Sequence, residues 1–217
     1  MVERAGAHPA GALPPVDGAG VSSSAMGADP LTGHATGPVA ASGLDHPIFS
    51  ESIRRIRHWL GDTGLEPLQS EVLERLVHSS GDLSLAGDLR FSAGACERGL
   101  AALAAGAVIL TDTAMAAAAV APMARRTFGN RVCSVLDWAA ARAPLGGTRA
   151  ADGMARALEA LCGDNGDDAT PPLVVLIGSA PTALELLLDR VAPPGTRLRA
   201  PALVIGMPVG FVGVAES

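Results

Sequence analysis

The stretch Ala202-Leu203-Val204-Ile205-Gly206-Met207-Pro208-Val209-Gly210-Phe211-Val212-Gly213 decides how this chain is read. Four apolar residues running straight into a glycine read as a buried strand that empties into a tight loop. Where the next helix begins, free backbone N–H groups form an anion site, so Gly206 and Gly210 are candidate ligand contacts. The same grammar recurs upstream. Residues 173–177 lead through Gly178 and Ser179 to a helix start with Pro181 in its first turn. Val108-Ile109-Leu110-Thr111 runs into Asp112, and residues 132–136 form a further apolar run. Helical patterns fall near 113–124, 149–161 and 181–190. Apolar strands without alternation suit a parallel sheet covered on both faces. The alternation of strands with helices predicts an α/β fold, a three-layer sandwich with a mostly parallel sheet covered by helices.

Ahead of this region the period is helical throughout. Ile48, Phe49, Ser52, Ile53, Ile56, Trp59 and Leu60 recur at helical spacing, and the turn Gly61-Asp62-Thr63-Gly64 ends that helix. A second helix carries Leu68, Val72, Leu73, Leu76 and Val77 and closes at His78-Ser79-Ser80-Gly81, where the glycine is a natural stop. A third spans about 93–105. Residues 1–45 are rich in Gly, Ala, Ser and Pro and show no hydrophobic period. Such a segment buries too little surface to offset its ordering entropy. The expected organisation is a disordered extension over 1–45 and one folded domain over 46–217.

Composition narrows the function classes. Hydrophobic residues make up 48% of the 217, and aromatics only 3% with no Tyr, so the core rests on Ala, Leu and Val. A net charge of -6 without a basic cluster argues against a nucleic-acid partner. It does not argue against an anionic small ligand, because one local Arg outweighs a diffuse acidic surface. Cys96, Cys133 and Cys162 are odd in number and widely spaced, which signals neither a disulfide framework nor a zinc site. No basic region followed by an apolar core opens the chain, and the run from Ala114 to Ala124 is too short to span a bilayer. These features predict a cytoplasmic protein without a membrane partner.

Several residues have the chemistry of a site. His78 lies at the C-terminal end of its helix, where the dipole favours imidazolium, and it stands off the apolar stripe of Val72, Leu73 and Leu76. A His so placed serves either as a general acid or as a cap on helix carbonyls. Ser179 and Thr182 flank a helix start that cradles a carboxylate or phosphate, or is an ordinary capped turn. Arg149 follows Gly146-Gly147-Thr148, and its guanidinium either offers a fork to a carboxylate or is a solvated surface group. Asp112 ends a strand on the edge where parallel sheets place ligands, or caps the helix that follows. Ser52 sits on an apolar helix face, where a satisfied core hydroxyl is the default reading. No Gly-x-x-x-x-Gly-Lys-Ser/Thr, Gly-x-Gly-x-x-Gly or Gly-x-Ser-x-Gly is present, and no pair of His residues has metal-ligand spacing. A nucleotide-binding α/β domain is therefore a poor match.

Four blocks resemble the precorrin-8X methylmutase family in the right order. They are Ser50-Glu51-Ser52-Ile53-Arg54-Arg55-Ile56-Arg57, Val77-His78-Ser79-Ser80-Gly81, Gly178-Ser179-Ala180-Pro181-Thr182-Ala183, and Gly206 to Ser217. The resemblance implies a homodimer acting on precorrin-8X or cobalt-precorrin-8, with no metal or organic cofactor. The family's reaction, late in vitamin B12 ring synthesis, moves a methyl group from C-11 to C-12 and gives hydrogenobyrinic acid or its cobalt-containing equivalent. The family's active-site His matches His78, its nearby Ser matches Ser52, and its Arg matches Arg149. Ser179 stands where the family usually has Asn. Family members continue past the position of Ser217, so a C-terminally truncated domain is expected. The competing expectation is a relic that binds corrinoids and converts nothing.

Overall fold

The computed structural model describes residues 46–163, 170–192, 196 and 198–207. The expected 1–45 extension, and Gly210 with the rest of 208–217, lie outside the described residues.

Two helices come first. In α1 (Pro47–Leu60) proline occupies the first turn and the His46 ring accepts the Ile48 amide at 3.2 Å. In α2 (Pro67–Ser80) Glu66 and Gln69 form a capping box, and Gly81 closes the helix in the left-handed conformation at φ 72°. The two helices share a small core of their own. Ile53 and Ile56 meet Leu73 and Val77, with Phe49, Leu60 and Leu65 packed around them. Arg57 forks Glu74 across the pair, Nε to Oε1 at 2.6 Å and Nη2 to Oε2 at 2.8 Å. A single helical turn, α3 (Leu85–Asp88), is too short to show a period and was not expected. α4 (Ala95–Ala104) leads into the sheet.

Strands β1 (Val108–Thr111), β2 (Val132–Ser134), β3 (Leu173–Ile177) and β4 (Leu203–Gly206) lie parallel in the order β2-β1-β3-β4. Helices α6 (Arg149–Cys162) and α7 (Pro181–Val191) cover one face. There Met154, Leu158, Leu184 and Leu187 pack on Leu110, Leu173, Val175 and Ile177. On the other face α4 brings Ala102 against Val174 and Leu203. α5 (Ala114–Arg126) joins β1 to β2. That crossover runs opposite in direction to β2–α6–β3, so right-handedness puts α5 on the face away from α6. The three-layer α/β sandwich expected from the sequence is the fold observed, and its described strands are all parallel.

Two expectations need correction. The second strand was expected to reach residue 136 but ends at Ser134. The Ser134 hydroxyl accepts the Leu136 amide and Asp137 accepts the Ser134 amide, which bends the chain into a 3₁₀ turn. The last strand was expected to be buried, yet Val204 and Ile205 are 37% and 41% exposed. β4 ends the described sheet and pairs only with β3 there.

The strand order reverses at β1. Its crossover leads to β2 on one side, while β3 lies on the other. In open parallel sheets the crevice outside the strand ends at such a reversal is where ligands bind. Asp112 follows β1 and Gly178-Ser179 follows β3, so both stand at that crevice.

Candidate functional site

The first group of candidate residues is built by α1 and α2. His78 lies in the last turn of α2, and its Nδ1 is 2.7 Å from the Ser52 hydroxyl on α1. It does not cap the helix. Ser79 and Ser80 donate to the carbonyls of Arg75 and Leu76 at 2.9 and 2.8 Å, which leaves the imidazole for other work. Phe49 presents its ring edge-on to His78, with centroids 4.8 Å apart and planes at 78°. The Arg75 guanidinium lies over the Phe49 ring at 4.7 Å. His78 is exposed and Ser52 half-buried, and the Ser52 hydroxyl engages Nδ1, not Nε2. Beside Ser52, Arg54 and Arg55 hold the Glu51 carboxyl far below its ordinary value, at about 2.

The second group lies at the carboxyl end of the sheet. Asp112 does not cap the helix that follows it; Thr113 does, accepting the Ala116 amide. Asp112 Oδ2 instead accepts the amides of Ser179 at 2.7 Å and Ala180 at 2.8 Å. The turn expected to offer these amides to a ligand has therefore given both to a protein carboxyl group. Thr182, in the first turn of α7, meets the Thr148 hydroxyl at 2.8 Å. Thr148 caps α6 by accepting the Ala151 amide.

Arg149 opens α6 and is exposed, and its Nε donates to the Ala140 carbonyl at 2.9 Å. The Ala140 amide in turn donates to Asp152, which that bond and Arg156 hold below the usual carboxylate range. Gly206 is the last residue of β4, and the Met207 amide after it bonds the Ile177 carbonyl.

Among the described residues no hydrogen bond runs from His78 or Ser52 to Asp112, Thr148, Arg149, Ser179 or Thr182. The structure brings the candidates together as two groups. Phe49, Arg75 and Thr148 were not singled out from the sequence. A Thr directly before a helical run is a cap signal, so Thr148 was findable. Phe49 was visible as an apolar residue three before Ser52, but its contact with His78 crosses between helices. Among the described residues no group of His, Cys, Asp and Glu is arranged to hold a metal ion.

A family model described as precorrin-8X methylmutase matches residues 47–217. The chain belongs to the precorrin-8X methylmutase family. The precorrin-8X methylmutase of Pseudomonas aeruginosa is 39% identical over 173 residues, covering 78% of this chain and 77% of the relative. The cobalt-precorrin-8 methylmutase of a Synechocystis species is 32% identical over 188 residues, covering 80% and 81%. A crystal structure of precorrin-8x methyl mutase from Thermus thermophilus superimposes with a TM-score of 0.63 at 38% identity, covering 78% of this chain and 77% of that one. In this methylmutase the first two signature blocks fall on α1 and α2, and the third forms the β3–α7 turn. The fourth begins at the end of β4 and continues outside the described residues.

Proposed function

We propose that this methylmutase is an isomerase of cobalamin biosynthesis in which His78 is the proton donor, Ser52 orients it, and Arg149 anchors substrate carboxylates. The reaction moves the C-11 methyl of precorrin-8X, or of its cobalt-containing equivalent, to C-12. Within one molecule a C–C bond breaks and another forms, so no atom or electron is gained or lost overall. A proton delivered to the conjugated ring lowers the barrier to the shift and returns to the enzyme afterwards. The observation that carries this reading is the 2.7 Å contact between Ser52 and His78 Nδ1. The contact engages Nδ1, which supports Nε2 as the nitrogen that serves the substrate.

Acetate and propionate arms around the macrocycle need donors. Arg149 has one nitrogen tied to Ala140, which steadies the guanidinium while its outer nitrogens remain for a carboxylate. The edge of the sheet where Arg149 stands is the usual ligand side of parallel folds. No helix among the described residues is long and apolar enough to cross a membrane. A cytoplasmic homodimer is part of the proposal, and light scattering on the purified protein reads the dimer directly.

The test of the roles is His78→Ala. It should slow turnover by about 10²–10⁴-fold while binding of the product hydrogenobyrinic acid stays near wild type. A variant that turns over at the unmodified rate removes His78 from the mechanism.

A further inference from the structure

One side chain bridges the ends of β1 and β3. Asp112 is fully buried, and its Oδ2 takes the amides of Ser179 and Ala180 at 2.7 and 2.8 Å. Ala180 is the N-cap of α7 and has no side-chain cap of its own. The Ala180 amide is the N-cap donor of α7 and the Ser179 amide immediately precedes it, and both distances fall in the charge-assisted range. The other oxygen, Oδ1, is buried and has no hydrogen-bond partner among the described residues.

Stability alone is a weak account of an Asp here. A carboxyl group buried with one oxygen unpartnered costs more than a neutral acceptor in the same place. Asn would accept both amides without burying a charge, but it would bury its NH2 group where Oδ1 has no partner. The consequence that distinguishes Asp lies further along the chain of contacts. The turn it holds starts α7 and sets Thr182, which meets Thr148, the cap of α6. Arg149 is the next residue, and Nε–Ala140 fixes its direction.

We propose that Asp112 is an internal anion occupying the N-terminus of α7. It keeps substrate carboxylates off that helix start by like-charge repulsion and positions Arg149 to receive them. It is a positioning residue and touches no reacting atom. This rests on the reading of Arg149 as the anchor.

The experiment compares wild type, Asp112→Ala and Asp112→Asn with and without sodium formate, against sodium chloride at equal ionic strength. Formate has the shape of the lost carboxylate and fits beneath the two amides. In Asp112→Ala, KM for precorrin-8X should rise about tenfold, the worth of one charge-assisted contact, with kcat within about twofold. Formate should lower that KM and raise the melting temperature of Asp112→Ala, with no effect on wild type. Asp112→Asn keeps an acceptor for both amides, and its thermal melt, with that of Asp112→Ala, reads whether each variant is folded. It holds the turn that positions Arg149, so its KM should rise less than that of Asp112→Ala, and formate should not change it.

An unchanged KM in folded Asp112→Ala overturns the proposal, and so does a rise of about tenfold in Asp112→Asn, whose turn is kept. So does formate that acts on wild type and Asp112→Ala alike. The melting shift needs no turnover, so an inactive wild type would refute the methylmutase reading while formate still judges the internal anion.

Discussion

Replacing Ser52 by Ala removes one hydroxyl with a defined contact, and its cost can be worked out. The hydroxyl lies 2.7 Å from His78 Nδ1. Water reaches the exposed imidazole, so the folded state should lose no more than about 1 kcal/mol. Catalysis should lose more. A hydrogen bond to a charged group contributes about 1.5–3 kcal/mol. At about 1.4 kcal/mol per decade, full expression in the transition state means a kcat about 10- to 150-fold lower. Ser52 acts only through His78, so Ser52→Ala/His78→Ala should be no slower than His78→Ala alone. The coupling in the double-mutant cycle should then equal the whole Ser52→Ala effect. Initial rates from the visible absorption of the corrin ring measure all four proteins. A Ser52→Ala enzyme with wild-type kcat refutes the reasoning. So does a further equal loss on top of His78→Ala, which would mean that the hydroxyl acts on something else.

Three further outcomes follow from the packing and the charges. Arg57→Ala strips the partner from Glu74, whose side chain is 10% exposed against 61% for Arg57. The half-solvated Arg places the loss at about 1–3 kcal/mol, seen in a thermal melt as a drop of roughly 3–10 °C. At Gly153 a Cβ would run into the Val135 carbonyl, which is backbone and cannot swing aside. Gly153→Ala should cost about 1–3 kcal/mol, and it should also raise KM, because α6 carries Arg149. Gly99→Ala meets only the tip of Leu203 and should cost less. Glu51 is depressed from 4.5 to about 2 by Arg54 and Arg55, so its contribution to folding is present above pH 4.5 and is lost as pH falls towards 2. Carboxyl NMR shifts should show a midpoint near 2, returning towards 4.5 in an Arg54→Ala/Arg55→Ala protein; a wild-type midpoint already near 4.5 contradicts the clamp.

Local signals in the sequence carry the structure where the physics is local. Helical spacing marked α1 and α2, and Gly81 marked the end that presents His78. Apolar runs ending in Gly or Asp marked the carboxyl edge of the sheet. What escaped depends on neighbours far apart in sequence. Asp112 was placed correctly at a strand end, but its partners lie 67 and 68 residues away. They meet it because β3, not β2, flanks β1 on that side. The Thr148–Thr182 contact requires α6 and α7 to share one face of the sheet, which the strand order decides. The early end of β2 was legible in principle. Ser134 and Asp137 form a capping box, and their spacing is a recognised stop for an extended run.

The central claim is that the purified chain moves a methyl group on its substrate, and the visible spectrum of precorrin-8X mixed with the protein tests it most directly. The shift changes the conjugation of the ring. The account predicts growth of the hydrogenobyrinic acid spectrum with no added metal or cofactor, and its loss in His78→Ala. An unchanged spectrum from folded wild-type protein would contradict it.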